Sequence, residues 1–403
     1  MRSIYAEKIV PKMLAVQVLG GAWPGVVWSP LSHVSAADLP DPSLPGPRWI
    51  KAKNRQCGIC ATDLSLLFAH VDPAVGPAAL PGNQRMYLGH EVVSEIVEVG
   101  PGVTRVKPGD RVIMDTHHFG ANCLSQEIEP VCRFCARGDY CMCENISAQI
   151  GPGGVGGGWG DGYTAHESAV YPVPADLSDD MATLVEPASV ALHAVLRRPP
   201  GAGDKLLVAG AGVIGLLVVQ AARAICPDCH ISVMARHPYQ VEMARRLGAD
   251  ELIGRRDGYQ TAARITGASH HTAMMNKGML IGGFDAIYDC VGSSVTIEDS
   301  LRWARGEGVV VLVGIDLRRV KVDLNPIWYQ QVDLIGSQLH GADEWQGRRR
   351  HTYDWVIDLM RAGKLGGEGL ITHRFPFEQY RQAVATATSK ASSGAIKVVF
   401  DYR

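Results

Sequence analysis

The stretch LLVAGAGVIG, residues 206–215, decides the fold. An apolar run of strand type reaches Gly210, and glycines recur at Gly212 and Gly215 just as a helical pattern begins. Between a strand and a helix, the spacing G-x-G-x-x-G has a physical reading at each place. Gly210 lets the chain turn, Gly212 lets the backbone approach a pyrophosphate, and Gly215 lets the helix pack on the strand. Val213 and Ile214 open the helix, where amide donors and positive potential face an anion. A glycine turn without a ligand is the competing reading, and the strand-then-helix context argues against it.

Working outward, strand and helix patterns alternate through HISVMARHPYQVEMARRLGAD, and further strands are expected at ELIG, FDAIYDCVG, GVVVLVG and VDLIGSQ. That alternation predicts an α/β Rossmann fold, a doubly wound parallel sheet of six strands binding a dinucleotide. Val291 in DCVG and Gly314 in VLVG are expected to join the cofactor contacts at the ends of later strands. Where an acidic side chain would hold the adenosine ribose, the chain has Ala235 followed by Arg236. A guanidinium there suits a 2′-phosphate, so NADP is expected in preference to NAD.

The 403 residues are 46% hydrophobic and 20% charged, with a formal net charge of −2 and no long run of one sign. Nothing in that balance suggests a nucleic-acid groove or an anionic membrane surface, and a small molecule is the expected partner. No apolar stretch reaches the roughly 18–20 residues of a membrane span, and MRSIYAEKIVPK lacks a signal-peptide core, so a cytoplasmic protein is expected. Ten cysteines are too sparse for a disulfide scaffold, and their bunching between Cys123 and Cys143 suits metal binding. Cys226 and Cys229 in CPDCH lie in a loop remote from the expected cofactor, and Cys290 reads as a small apolar side chain near the nicotinamide.

The first half, to about residue 175, is rich in Val, Gly and Pro and reads as mainly β. Residues 189–336 are assigned to the dinucleotide domain, and residues 1–188 with 337–403 to the other. The glycine-rich stretch IGPGGVGGGWGDGYTAHE reads as a loop leading into a strand near Tyr163. Within the β-rich half, QCGICATDL (residues 56–64) offers a thiol, YLGHEVV offers His90 and Glu91, and TLVEPASVALHA just past it offers Glu186. A catalytic zinc takes about three N, S or O ligands and keeps an open position.

CGICATDL, then GHE, then VEPASVALHA, then the glycine loop, together resemble the zinc-dependent medium-chain dehydrogenase/reductase (alcohol dehydrogenase) family, nearest its polyol, glucose and threonine dehydrogenase branch. The resemblance runs from about MLAVQV to AIKVVF. It implies a mainly β GroES-like catalytic domain with a small Cys-rich lobe beside the Rossmann domain. It implies zinc ligands Cys60, His90 and Glu186, with Cys57 outside the shell and Glu91 either an exchanging ligand or a neighbouring carboxylate. Asp63 would orient the ligand histidine, and Thr62 would take the alcohol proton. Ser65 stands where many relatives place a relay histidine, and water, Ser65 or His70 remain as outer relays. For a second, structural zinc, Cys132, Cys135 and Cys143 with Gly138 fit the lobe of relatives; Glu129 stands at the fourth place, with Cys123 and Cys141 as alternatives. Ser94 replaces a usual glycine, and GGAWPGVVWSPLSHVS lengthens the N-terminal region.

The expected function is hydride transfer between a secondary alcohol, polyol or sugar and NAD(P), in a homodimer or homotetramer. A zinc-independent quinone or enoyl reductase of the same superfamily, and an inactive dinucleotide-binding protein, are the alternatives.

Overall fold

The computed structural model describes residues 1–72, 85–115, 122–146, 153–254, 256–274, 278–367 and 369–403. Residues 116–121 of the enlarged loop and 150–152 of the glycine-rich stretch lie outside them. The chain forms two compact units, Met1–Glu186 with Glu368–Arg403, and Pro187–Gly367.

The second unit is built on six strands, β1 (Lys205–Ala209), β2 (His230–Met234), β3 (Glu251–Ile253), β4 (Phe284–Asp289), β5 (Ala304–Leu312) and β6 (Asp333–Gly336). All pair in parallel, in the spatial order β3-β2-β1-β4-β5-β6. That order reverses at β1, where the glycine turn lies, and a reversal of this kind opens a binding crevice at the carboxyl ends of the strands. Leu206, Leu207, Val208 and Ala209 of β1 are buried, the unbroken apolar run expected of a strand covered on both faces. The helix Val213–Ile225 packs close on β1 because Gly215 has no side chain: a Cβ there would sit 1.8 Å from the Gly210 carbonyl oxygen. A hairpin of Ser269–Thr272 and Gly278–Ile281, not foreseen from the sequence, joins this unit.

Residues 337–367 correct the expected boundary, for they cluster with this second unit. The reason is visible in their partners. Asp343 pairs with His193 at 2.8 Å, the Gln220 side chain bonds Gly366 in both directions, and the helix Thr352–Arg361 buries Tyr353, Trp355, Val356, Ile357, Leu359 and Met360.

The first unit is centred on a seven-stranded sheet whose middle strand is Trp49–Gly58. Val92–Val99, Gly162–His166 and Lys397–Asp401 each pair antiparallel with it. The chain's last strand thus lies beside Cys57 and Gly58, with Phe400 opposite Cys57. Ser94 fills its place usefully, donating to Asn54 at 2.9 Å, while the Asn54 amide holds the carbonyls of Gly157 and Gly160. The lengthened N-terminal region is a helix, Val10–Leu19, followed by a short turn of 3-10 helix, Pro24–Trp28. It is tied down through Gln17, which donates to the carbonyls of Ala69 and Val71. No helix among the described residues is long and apolar enough to cross a membrane.

Candidate active site

Cys60 ends the extended segment after Gly58 and caps the helix Ala61–Leu67. Asp63, in the first turn of that helix, reaches back to accept the Cys60 amide at 3.0 Å and also accepts the Gly89 amide at 3.0 Å. Its carboxylate meets His90 Nδ1 at 3.3 Å, which leaves Nε2 to face the cluster. One buried acid therefore fixes both the thiol and the imidazole, the arrangement that outer-shell carboxylates give metal-binding histidines.

Ligand atoms of Cys60, His90 and Glu91 lie within 4.8 Å of one another. Glu186 stands outside that tight trio, in the first turn of the helix Val185–Arg197, and is itself buried. Burial raises the Glu186 carboxyl to about 7; His90 opposes the rise and Glu91 adds to it. Burial also pulls the His90 imidazole down, but Asp63 and Cys60 outweigh it and raise it well above its ordinary value. The pocket thus favours positive charge at the point where thiol and imidazole meet, and a divalent cation satisfies that preference with a soft thiol, an imidazole and a carboxylate.

The sequence reading missed Lys397. It lies at the head of the strand Lys397–Asp401, forms a fully buried ion pair with Glu91, and donates to the Ile59 carbonyl at 3.3 Å. Burial would push its ammonium down, yet Glu91 and Cys60 hold it up. Gly58 makes the pair fit, since a Cβ there would sit 2.0 Å from a Glu91 carboxylate oxygen. A lysine opening the apolar run IKVVF was the available signal. Cys57 stays outside the cluster, fully buried, with its thiol donating to the Gly58 carbonyl at 3.3 Å. Thr62 and Ser65 are half-buried on the helix after Cys60, and His70 is exposed, stacked on Phe68 at 5.9 Å.

A second cluster joins Cys123, Cys132, Cys135 and Cys143, whose sulfurs lie within 4.8 Å of one another. Cys141 is buried apart from it and Glu129 is exposed, so neither joins the four. Backbone amides of Cys132, Cys135 and Asn145 point at Cys123, Cys132 and Cys143 sulfurs, at 3.4, 3.5 and 3.4 Å, and the Asn145 side-chain amide adds a bond of 3.2 Å to Cys123. Burial pushes the Cys132 thiol up, but the amides around it outweigh that and bring it to about 6. Four thiols in an amide-lined nest make a donor set of the number and type that a closed structural zinc site takes. None of the ten cysteines is in a disulfide. The Cys229 thiol donates to the Cys226 carbonyl at 3.0 Å, and Cys290 is half-buried.

In the second unit, Gly210, Gly212, Val213, Ile214 and Gly215 form the turn from β1 into its helix, with Gly212 as the cap. Val291 and Gly314 follow β4 and β5 and pack against each other. Ala235 and Arg236 follow β2, and the Arg236 and His237 amides both donate to the Gln240 side chain at 3.2 Å. Beside them is a shallow groove of about 530 Å³ lined by Arg236, His237, Pro238, Val241, Glu242 and Arg245.

Two family models match this chain, the alcohol dehydrogenase GroES-like domain over residues 46–175 and the zinc-binding dehydrogenase domain over residues 213–360, together more than half of it. The chain belongs to the zinc-dependent alcohol dehydrogenase family. It is similar to L-idonate 5-dehydrogenase of Vitis vinifera, 29% identical over 89% of each chain, and to sorbitol dehydrogenase of Arabidopsis thaliana, 29% identical over 88% of this chain and 89% of that one. The fold matches 2R,3R-butanediol dehydrogenase from Bacillus subtilis with a TM-score of 0.71 at 23% identity, over the whole of both chains. This zinc-dependent dehydrogenase is an oxidoreductase that uses zinc and NAD(P). A zinc-free reductase is not favoured.

Proposed function

We propose that the enzyme oxidises a secondary alcohol of polyol or sugar-acid type, or reduces the matching ketone, with NADP preferred. The observation that carries this reading is the cluster of Cys60, His90 and Glu91 with Asp63 behind it, together with the buried carboxyl of Glu186, whose proton affinity responds to His90 and Glu91. The relatives acting on idonate and sorbitol support the substrate class.

Zinc held by Cys60, His90 and Glu186 would supply a Lewis acid for the alcohol oxygen, and the nicotinamide would accept the hydride. Asp63 holds His90 by Nδ1 so that the imidazole presents Nε2. Lys397 neutralises Glu91 and keeps that carboxylate from adding a further negative charge, which leaves Glu186 as the third ligand. Thr62 Oγ1, two residues past Cys60, accepts the alcohol proton and passes it outward. In the lobe, Cys123 completes a structural zinc site with Cys132, Cys135 and Cys143.

Arg236, His237 and Arg245 around the groove, against a single acid, support the choice of NADP. The test is kcat/KM for both cofactors on a panel of polyols, sugar acids and simple secondary alcohols. A wild-type preference for NAD would sink the cofactor assignment, and turnover confined to primary alcohols would sink the substrate class. Replacing Ala235 with Asp and Arg236 with Ser together should move the preference toward NAD. Free thiols throughout support a reducing, cytoplasmic setting. The outer edge of β6, with exposed Leu334 on it and exposed Trp328 and Tyr329 on the helix before it, supports a homodimer formed by sheet continuation, and sedimentation equilibrium would report a monomer if that is wrong.

A further inference from the structure

Gln56 is fully buried on the central strand, four residues before Cys60, and carries a polar side chain into a place where an apolar one would pack. Both ends of its amide cross to one short helix, Asp179–Thr183. Its Nε2 donates to Asp180 Oδ1 at 2.9 Å, and its Oε1 accepts from Thr183 Oγ1 at 2.7 Å. Glu186 follows three residues after Thr183, in the next helix.

We propose that Gln56 is a positioning residue that couples the strand carrying Cys60 to the helical segment carrying Glu186, and so sets the spacing of these two donors for zinc. The proposal rests on the reading of Glu186 as the third ligand. Thiol and carboxylate come from segments far apart in the chain, so nothing local to either one fixes their separation. A primary amide donates and accepts at once, and a single Gln therefore pins the helix at two of its residues. Only a group with both functions does so; Leu or Met at this position would pack without registering the helix.

The contact is also separable from stability. Asp180 keeps a two-pronged pair with Arg374 when Gln56 is removed, and Thr183 Oγ1 keeps the Asp179 carbonyl at 2.9 Å. Gln56→Leu therefore strands no buried polar partner, and the usual heavy cost of breaking a buried network does not arise. What it removes is the pair of bonds that fix the helix at Asp180 and Thr183, while Arg55 still holds its first residue, Asp179, at 3.0 Å.

The experiment measures zinc retention of the purified full chain against a graded chelator, with the release step absent from Cys60→Ser taken as the catalytic zinc. Cobalt-substituted protein supplies an absorption spectrum sensitive to ligand geometry. Gln56→Leu should weaken catalytic zinc about 10- to 100-fold, the range for residues that orient a ligand. It should also shift the cobalt spectrum and leave the cysteine-lobe zinc in place. Thr183→Val, which removes one of the two bonds, should give a smaller change in the same direction, and it carries the test if Gln56→Leu does not fold. Glu186→Ala separates the two layers. If it alters metal retention and spectrum while both Gln56→Leu and Thr183→Val leave them unchanged, the positioning role is overturned and the ligand stands. If Glu186→Ala alters neither, the ligand reading fails and takes the positioning role with it.

Discussion

The two sulfur sites of the first unit are built in opposite ways. The lobe draws all four thiols from the stretch between Cys123 and Cys143, and backbone amides of Cys132, Cys135 and Asn145 point at the sulfurs. The Cys60 cluster takes one thiol from the segment after the central strand and His90 and Glu91 from the turn before the next, with Lys397 from the last strand paired to Glu91 and the proposed third ligand, Glu186, on a helix. A local, closed set is suited to holding a short stretch of chain in shape. A set gathered from afar, with mixed donors, leaves room for a reacting molecule and makes the site answerable to the whole unit.

Loss of a donor should therefore mean different things in the two places. Cys60→Ser should abolish turnover and remove one zinc per chain, with little change in thermal stability; metal analysis beside kcat checks it, and a zinc-replete, active variant would erase the contrast. Lys397→Met should leave Glu91 buried without its partner and cost about 3–5 kcal/mol in denaturant unfolding, the usual penalty for an uncompensated buried charge. An unfolding curve indistinguishable from wild type would mean that the pair does not bind the site to the sheet. Thr62→Ala should keep both zinc ions and lose roughly 10²- to 10⁴-fold in kcat, as expected of a group that moves a proton; a loss of metal instead would place Thr62 among the structural groups. Cys123→Ser should release the lobe zinc and lower Tm, with kcat per folded molecule within about twofold of wild type. The smallest effect is expected from Cys57→Ser, which should retain zinc and most activity, measured on the same preparations.

Legibility followed the same division. The dinucleotide sheet was readable because its central strand is a continuous apolar run closed by a glycine turn and its neighbours carry shorter apolar runs between helical stretches, a pattern that survives without knowledge of partners. The boundary at residue 336 was misplaced because the helix Thr352–Arg361 carries no mark of which unit it will pack on; contacts such as Asp343 with His193 decide that, and they join distant residues. In the lobe, three cysteines were legible from spacing, while Cys123 arrives from a loop whose length no spacing rule fixes. Cys60, His90 and Glu186 were picked out by resemblance more than by physics, since each alone is an ordinary thiol, histidine or helix-start acid. Lys397 went unread because a buried cation inside an apolar strand becomes intelligible only when the facing acid is known.

That last ion pair has a temporal side. Lys397 donates to Ile59 across 338 residues of chain, and on a ribosome adding about 5–20 residues per second that interval is roughly 20 to 70 s. For most of it, the nascent polypeptide already carries Cys60, His90 and Glu91, while the cation that will neutralise Glu91 has not been made. Early metal capture by the emerging segment would meet an extra, uncompensated carboxylate, and the finished charge balance arrives only with the strand Lys397–Asp401. The order of synthesis thus makes the completed dehydrogenase centre a late event in the life of the chain.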